Sequence, residues 1–228
     1  MLKARGLISE LSVLLVETWQ FFISNLVGIC SVLIPIVLPL TVLSAFLIED
    51  DTTILGSLID LAFYPIYQGA VILYIASVVA DEKLTLKQYY CVAARSWLAL
   101  IILYIFTSLA LVLGILLFVI PGFIVFGRLA FAEFHCLLEN RGGTESFLLS
   151  WETTKPVQAV LIVGLSIIVI GIVGLGILVE LLLSEFGVWN GYFSIIVDVL
   201  FSVACVLIPA FAFRVYQLEA EKHQQVTD

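Results

Sequence analysis

Six long apolar runs constrain the fold of this 228-residue chain more than any other feature of its sequence. A helix rising about 1.5 Å per residue needs roughly 20 residues to cross about 30 Å of hydrocarbon, and each run is about that long. Backbone amides in lipid must be paired within the protein, so runs without two-residue alternation predict helices rather than barrel strands. The runs cover residues 22–47, 54–80, 98–118, 120–138, 158–182 and 190–213.

Composition agrees with a membrane protein. Hydrophobic residues make up 62% of the chain and charged residues 12%, whereas about a quarter of the residues in soluble domains are charged. The polar stretches between the runs are short and leave no room for a soluble domain. We therefore predict an all-α polytopic membrane protein, with six transmembrane helices forming a single domain over residues 1–228.

The basic residues indicate how the chain is oriented. Lys and Arg occur in both terminal segments, between the second and third runs and between the fourth and fifth, whereas the other loops have none. The positive-inside rule therefore predicts that both termini are cytoplasmic. The net charge of −8 comes without a basic patch, so nucleic acid is not an expected partner. Glu10 and Glu17 interrupt the first apolar segment, so a cleavable signal peptide is not expected.

Three segments share a further pattern, in which polar residues and a tryptophan lead directly into an apolar run. Glu10 and Glu17 have the same seven-residue spacing in the first segment as Glu145 and Glu152 in the third. This pattern predicts an amphipathic helix in the cytoplasmic interface, followed each time by a transmembrane hairpin. The tryptophans are Trp19, Trp97 and Trp151, and the pseudo-repeats are about 7–80, 84–138 and 144–217.

The third segment also contains turn signals. The stretch "NRGGT" is predicted to form the turn before the interfacial helix, where Gly142 and Gly143 are free to take positive φ. Thr144 is the predicted N-cap of that helix, and Pro156 is predicted to mark the opening of the fifth span.

The stretch "FVIPGFIVFGRLAFAEFHCLLENRGGTESFLLSWETTK", residues 118–155, resembles uncharacterised bacterial inner-membrane proteins of the YciC type. That family is related to the membrane domain of some glycerophosphodiester phosphodiesterases. The resemblance implies a location in the bacterial inner membrane and a role in envelope maintenance, and it brings no catalytic residue with it. The shared features are Pro121, Gly122, Glu139, Ser150, Trp151, Thr154 and Lys155.

Ionisable residues within the runs are the candidate functional groups, because a charge in lipid costs several kcal/mol unless it is paired or hydrated. Arg128 and Asp198 lie at matching predicted depths, about 13 and 12 Å below the outer interface, and are predicted to pair. Asp60 and Glu133 are second choices as partners of Arg128. Two interpretations of the pair stay open: a buried structural contact between spans four and six, or an anion or headgroup site whose cation is Arg128.

Enzymatic and metal chemistry are not expected. His135 and Glu139 stand at i and i+4, but two ligands without a third do not predict a metal site. The sequence contains no GxSxG, HExxH or glycine-rich phosphate loop. No catalytic residue and no cofactor are therefore predicted.

Two non-enzymatic functions remain as hypotheses. One is a scaffold or envelope-homeostasis factor that interacts with membrane lipids or other inner-membrane proteins, in an oligomeric state that the sequence does not specify. The alternative is a transporter or lipid-handling protein that uses an intramembrane polar site around Arg128. Separately, Gly164, Gly171 and Gly174 are predicted to face another span of the same chain, because missing side chains allow close helix approach.

Overall fold

The computed structural model describes residues 2–49, 53–82, 84–186 and 191–227. These residues are mostly helical, and no strand occurs among them. The helices, in chain order, are α1 (Leu2–Ser24), α2 (Leu26–Glu49), α3 (Thr53–Val79), α4 (Leu86–Arg95), α5 (Trp97–Leu117), α6 (Val119–Arg128), α7 (Ala132–Leu137), α8 (Gly143–Thr153), α9 (Gln158–Glu185), α10 (Gly191–Cys205) and α11 (Leu207–Thr227).

Six stretches of the described chain are long and apolar enough to cross a membrane, which confirms the predicted all-α, six-span class. Two of them are not single helices. The fourth is divided into α6 and α7 by residues 129–131, and the sixth is divided into α10 and α11 at Val206. The stretches are Leu26–Ala45, Leu58–Val79, Trp97–Leu117, Ile120–Leu137, Gln158–Glu185 and Phe193–Lys222.

Helices also form at the three tryptophan-bearing segments, as α1, α4 and α8 ahead of α2, α5 and α9. α4 packs against α3 through buried Tyr89 and Ala93, and the Tyr89 hydroxyl lies 2.7 Å from Ser77 Oγ. A capping box between Thr85 and Gln88 starts α4, because it satisfies amide groups that have no partner within the helix. α8 packs mainly against α5 and α7, whereas α1 packs mainly against α11 and also contacts α9.

The hairpins are held by close contacts at small residues. In α2–α3, Gly28 makes room for the side chain of Tyr74. In α5–α6, a Cβ on Gly114 would lie 3.1 Å from the Cα of Gly122, so the two backbones almost touch. Large buried side chains of α7 and α11, including Phe134 and Phe211, fill the centre of the bundle.

The turn before α8 differs from the prediction. Asn140, with φ of 53°, takes the left-handed conformation, whereas Gly142 has φ of −66° and is the N-cap of α8. Thr144 is therefore inside the helix rather than capping it. Gly143 is needed for a different reason, since a Cβ there would collide with the carbonyl oxygen of Ala99 on α5. α9 begins at Gln158, shortly after the proline predicted to open the fifth span.

The three glycines of α9 do not share one environment. A Cβ on Gly164 would collide with the ring of Phe211 on α11, which agrees with the predicted contact to another span. Around Gly171 and Gly174 nothing of the described chain lies within 4 Å of such a Cβ, so the prediction is wrong for these two. Gly171 lines an apolar groove between α1, α9 and α10, and helical spacing alone does not reveal where such a groove lies.

Candidate functional site

The interruption of the fourth span is stabilised by hydroxyl groups of α8. The carbonyl oxygen of Arg128, at the end of α6, accepts hydrogen bonds from Ser150 Oγ at 2.9 Å and Thr154 Oγ1 at 3.0 Å. The amide of Phe131 donates to Ser150 Oγ at 3.2 Å. Ser150 and Thr154 are both fully buried. Side-chain hydroxyls thus replace backbone hydrogen bonds that the break removes from the helix.

Arg128 is buried, with 5% of the residue exposed, and neutral groups hold its guanidinium. It donates from Nη1 to Gln158 Oε1 at 3.3 Å and from Nη2 to the carbonyl oxygen of Trp151. It also lies 4.8 Å from the centre of the Trp151 ring, within cation–π distance. Arg128 is therefore a fixed point between α6 and the junction of α8 with α9.

The predicted pair between Arg128 and Asp198 is wrong. Asp198 is exposed on α10 and takes no part in the ion pairs of the described chain. Equal depth along two spans does not bring two side chains together, because each must also point to the same side of the bundle. The α8–α9 junction lies against the end of α6 instead and supplies the acceptors that Arg128 needs.

The other two candidate residues are also apart. Asp60 Oδ2 accepts a hydrogen bond from Ser44 Oγ at 3.0 Å between α3 and α2, where its side chain is exposed. Glu133, on α7, faces a cavity inside the bundle. The structure therefore does not gather Arg128, Asp198, Asp60 and Glu133 into one site.

The cavity around Glu133 has a volume of about 340 Å³. Glu133 is its one carboxyl group, and Tyr64, Tyr67 and Gln68 of α3 supply further polar groups. Most of the remaining wall is apolar and comes from α6, α7, α9, α10 and α11. The cavity therefore combines a small number of polar groups with an apolar surround, as small-molecule sites commonly do.

Three tyrosine rings stand beside this carboxyl group. The centre of the Tyr64 ring lies 5.4 Å from that of Tyr67 and 5.0 Å from that of Tyr104, at interplanar angles of 79° and 68°. The Glu133 carboxyl lies within hydrogen-bonding reach of the Tyr104 hydroxyl and of Gln68. Its nearest polar neighbours are therefore neutral groups of α3 and α5.

Sequence reasoning did not identify the tyrosines or Gln68, because it considered only ionisable groups. The signal was nevertheless present in the second span, as "YPIYQ" at residues 64–68. Tyr64, Tyr67 and Gln68 stand at i, i+3 and i+4 and therefore share one face of α3. A polar stripe at helical spacing within an apolar span indicates a side that does not face lipid.

A second polar cluster joins α7, α8 and α11. His135 Nδ1 lies 2.6 Å from Glu139 Oε1, and its Nε2 lies 3.0 Å from Thr153 Oγ1. Glu139 also accepts hydrogen bonds from Tyr216 Oη at 2.9 Å and from Arg141 Nε at 2.7 Å. These contacts link the three helices at a point where each leaves an apolar segment.

Glu139 is the most strongly engaged acid of this cluster. Partial burial by itself raises the pKa of its carboxyl, but hydrogen bonds from Arg141, His135 and Tyr216 favour the ionised form, and the net pKa lies below its ordinary value. His135 and Glu139 bind each other, and the described residues contain no group of three His, Cys, Asp or Glu side chains arranged for a metal ion.

The fold and the cavity define a class: a polytopic α-helical membrane protein with six candidate spans and a polar cavity within the bundle. Comparisons of the chain with protein-family models, with curated proteins and with solved structures find no match. Any functional assignment therefore depends on the geometry of the chain itself.

Proposed function

We propose that this protein binds a small amphiphilic molecule in the cavity around Glu133 and acts in lipid handling or transport without catalysing a reaction. The observation that supports this proposal is the position of Glu133. A carboxyl group within a span costs several kcal/mol and is retained where it meets a partner, water or a ligand. The site proposed here replaces the one that the sequence suggested around Arg128.

The composition of the cavity favours binding over chemistry. Glu133 is the one Asp, Glu, His, Lys or Arg residue that lines it in the described chain. Acid–base catalysis and metal-assisted hydrolysis both use a second such group close to the reacting atom. The cavity instead offers one charge, several hydrogen-bonding groups and a large apolar wall, which suits a molecule with one polar end.

The location and orientation that accompany this function come from the sequence. We propose the bacterial inner membrane and a role in envelope maintenance, in line with the resemblance to YciC-type proteins, and both termini in the cytoplasm. We further propose that α1, α4 and α8 lie along the cytoplasmic face. Cysteines introduced at Gln88 and Glu152 should react with a membrane-impermeant maleimide only after the membrane is opened. Reaction in intact cells from outside would contradict this topology.

The binding proposal is tested by filling the cavity. Ser202, on α10, lines it and is half-buried, so Ser202→Phe places a ring in the open volume. Ser184→Phe is the matched control, because this serine is exposed on α9, away from the cavity. Native mass spectrometry of protein released from mild detergent should show an amphiphile bound to the wild type and to Ser184→Phe, and none bound to Ser202→Phe. Equal occupancy in all three proteins would refute the proposal.

A scaffold is a second candidate, because one face of α9 is open. A Cβ on Gly171 or Gly174 would meet nothing of the described chain within 4 Å, and Trp19 of α1, which is 55% exposed, lines the same groove as Gly171. Glycines on a lipid-facing surface allow a transmembrane helix of another protein to approach closely. A photo-crosslinking residue at position 174 should then give one discrete product in membranes, and Gly171→Leu should abolish it. Labelling of lipid alone would refute this second function.

A further inference from the structure

We infer that the ligand of the Glu133 cavity is an amphipathic organic cation, a substituted ammonium group carried on a hydrocarbon chain. This inference rests on the proposed function and specifies the chemical class of the ligand. Glu133 provides the counter-charge, the tyrosine rings contact the carbon atoms attached to the nitrogen, and the apolar wall receives the chain.

The first argument concerns charge. Glu133 takes part in none of the ion pairs of the described residues. The arginines of neighbouring helices are engaged elsewhere: Arg128 binds Gln158 and Trp151, and Arg214 Nε lies 3.1 Å from Glu17 Oε2. The Glu133 carboxyl group therefore has no protein cation beside it, and its polar neighbours, Tyr104 and Gln68, are neutral. A ligand that brings a positive charge supplies the missing partner.

The second argument concerns the rings. Tyr64 and Tyr67 line the cavity and meet at 79°, so the two rings form adjoining walls instead of one flat surface, and Tyr104 packs against Tyr64 at 68°. Aromatic rings attract cations through their electron-rich faces, and several rings around one carboxylate are the usual means of recognising substituted ammonium groups. Phenylalanine would serve as well for simple packing, yet the three rings are all tyrosines beside one acid.

The shape of the cavity suits an amphiphile rather than a small ion. Tyr64 of α3 and Phe201 of α10 line it and are 38% and 39% exposed, so the wall of the cavity reaches the outer surface of the bundle at both helices. Both helices lie in candidate spans, so this part of the wall lies where a molecule in the hydrocarbon layer could meet it. Leu165 and Ile208 line the apolar part of the cavity and can contact a hydrocarbon chain.

An anionic ligand fits this cavity poorly. No Lys or Arg lines it within the described chain, and Glu133 would repel a phosphate or carboxylate. The anion or headgroup site considered for Arg128 also lacks a free cation, because the Arg128 guanidinium is bound by Trp151 and Gln158. Positive charge on the ligand is therefore the choice that the described residues support.

The test uses the full-length protein in nanodiscs of phosphatidylglycerol, with tritiated decyltrimethylammonium as the probe and equilibrium dialysis as the measurement. Empty nanodiscs give the background. The wild type should bind the probe saturably, and Glu133→Gln should weaken binding about tenfold or more, because it removes the charge and keeps the shape. Tyr64→Leu should weaken it about fivefold through the lost ring. Glu180→Gln, at an exposed acid of α9, is the matched control and should bind like the wild type.

Glu133→Asp is a second variant in case Glu133→Gln does not fold. It keeps the carboxyl group, so its dissociation constant for the probe should lie within about threefold of the wild-type value. Equal affinity of wild type and a folded Glu133→Gln would overturn the inference. Saturable binding of tritiated decanol without binding of the cation would overturn the ligand class and leave the proposed function standing. No binding of either probe, together with no amphiphile in native mass spectrometry, would overturn both.

A final arm identifies the source of the ammonium group. Phosphatidylethanolamine, added to the nanodiscs, should compete with decyltrimethylammonium if the natural ligand is a lipid amine. If this lipid does not compete while free decylamine does, the ligand is a free amphipathic amine. Either result supports the inferred class, and competition by neither compound assigns the ligand to the quaternary ammonium compounds, to which the probe belongs.

Discussion

Removing the Ser150 hydroxyl should destabilise the protein more than any other single loss of a hydroxyl on α8. Ser150 Oγ accepts a hydrogen bond from the amide of Phe131 and donates one to the carbonyl oxygen of Arg128. Ser150→Ala leaves the Phe131 amide buried without a partner. The Arg128 carbonyl keeps its bond from Thr154, so the loss is mainly that of one unsatisfied amide.

The expected cost is about 1–3 kcal/mol, which is the usual penalty for an unsatisfied buried donor. For a chain of this size, 1 kcal/mol corresponds to about 2–4 °C, so a cost of about 2 kcal/mol should lower the melting temperature by about 4–8 °C. Intrinsic tryptophan fluorescence during heating in maltoside detergent gives the measurement. The double variant with Thr154→Ala should lose more than the sum of the two single variants, because the Arg128 carbonyl then loses both donors.

Ser146→Ala is the matched control for this experiment. Ser146 lies one turn earlier on the same face of α8 and is also fully buried, but its Oγ bonds to no backbone amide or carbonyl of the described chain, and its polar neighbour is the Cys136 thiol. Its removal should cost little, because a thiol is a weak hydrogen-bonding group. Equal shifts for Ser146→Ala and Ser150→Ala would show that α8 responds to any loss of volume, and would refute the role of Ser150 at the helix break.

Three further outcomes are expected. In detergent, Gly164→Leu should lower the melting temperature by at least several degrees, because the new leucine side chain would collide with Phe211. Gly171→Leu should change the melting temperature little. A larger effect at Gly171 would show that this face of α9 is packed. Arg128→Ala should lower the free energy of unfolding by about 2–4 kcal/mol, and Asp198→Ala should change it little. The loss in the double variant should equal the sum of the two single losses. A coupling energy above about 1 kcal/mol would show that Arg128 and Asp198 interact after all. The folded-state pKa of Glu139 lies below its ordinary value of 4.5, so this carboxylate stabilises the fold at neutral pH, and the contribution is lost as the pH falls through that lowered pKa. Glu139→Gln should accordingly melt below the wild type at pH 7 and approach it once the pH is below that lowered pKa, and a difference that stays constant down to the acid limit of folding would refute the assignment.

The sequence alone determined the class and the order of the helices. Length and hydropathy are local properties, so six apolar runs predict six spans wherever the chain later packs, and the described structure contains six such stretches. The three tryptophan-bearing segments were likewise recognisable from the sequence. A separate helix, α1, α4 or α8, precedes the long helix at each of them. Gly164 was correctly expected at a helix contact, since a missing side chain favours close approach.

Only the tertiary structure decided which polar groups meet. Counting residues gives the depth of Arg128 and Asp198 along their spans, but not the direction in which each side chain points. The break after α6 and the position of α8 gave Arg128 neutral partners, the carbonyl of Trp151 and the amide of Gln158, more than 20 residues away in the sequence. The cavity around Glu133 likewise needs walls from α3, α7 and α9 to α11, and no single segment contains that arrangement. Several kinds of polar group can stabilise a charge within a membrane span, and the packing of the helices determines which of them lies within hydrogen-bonding distance.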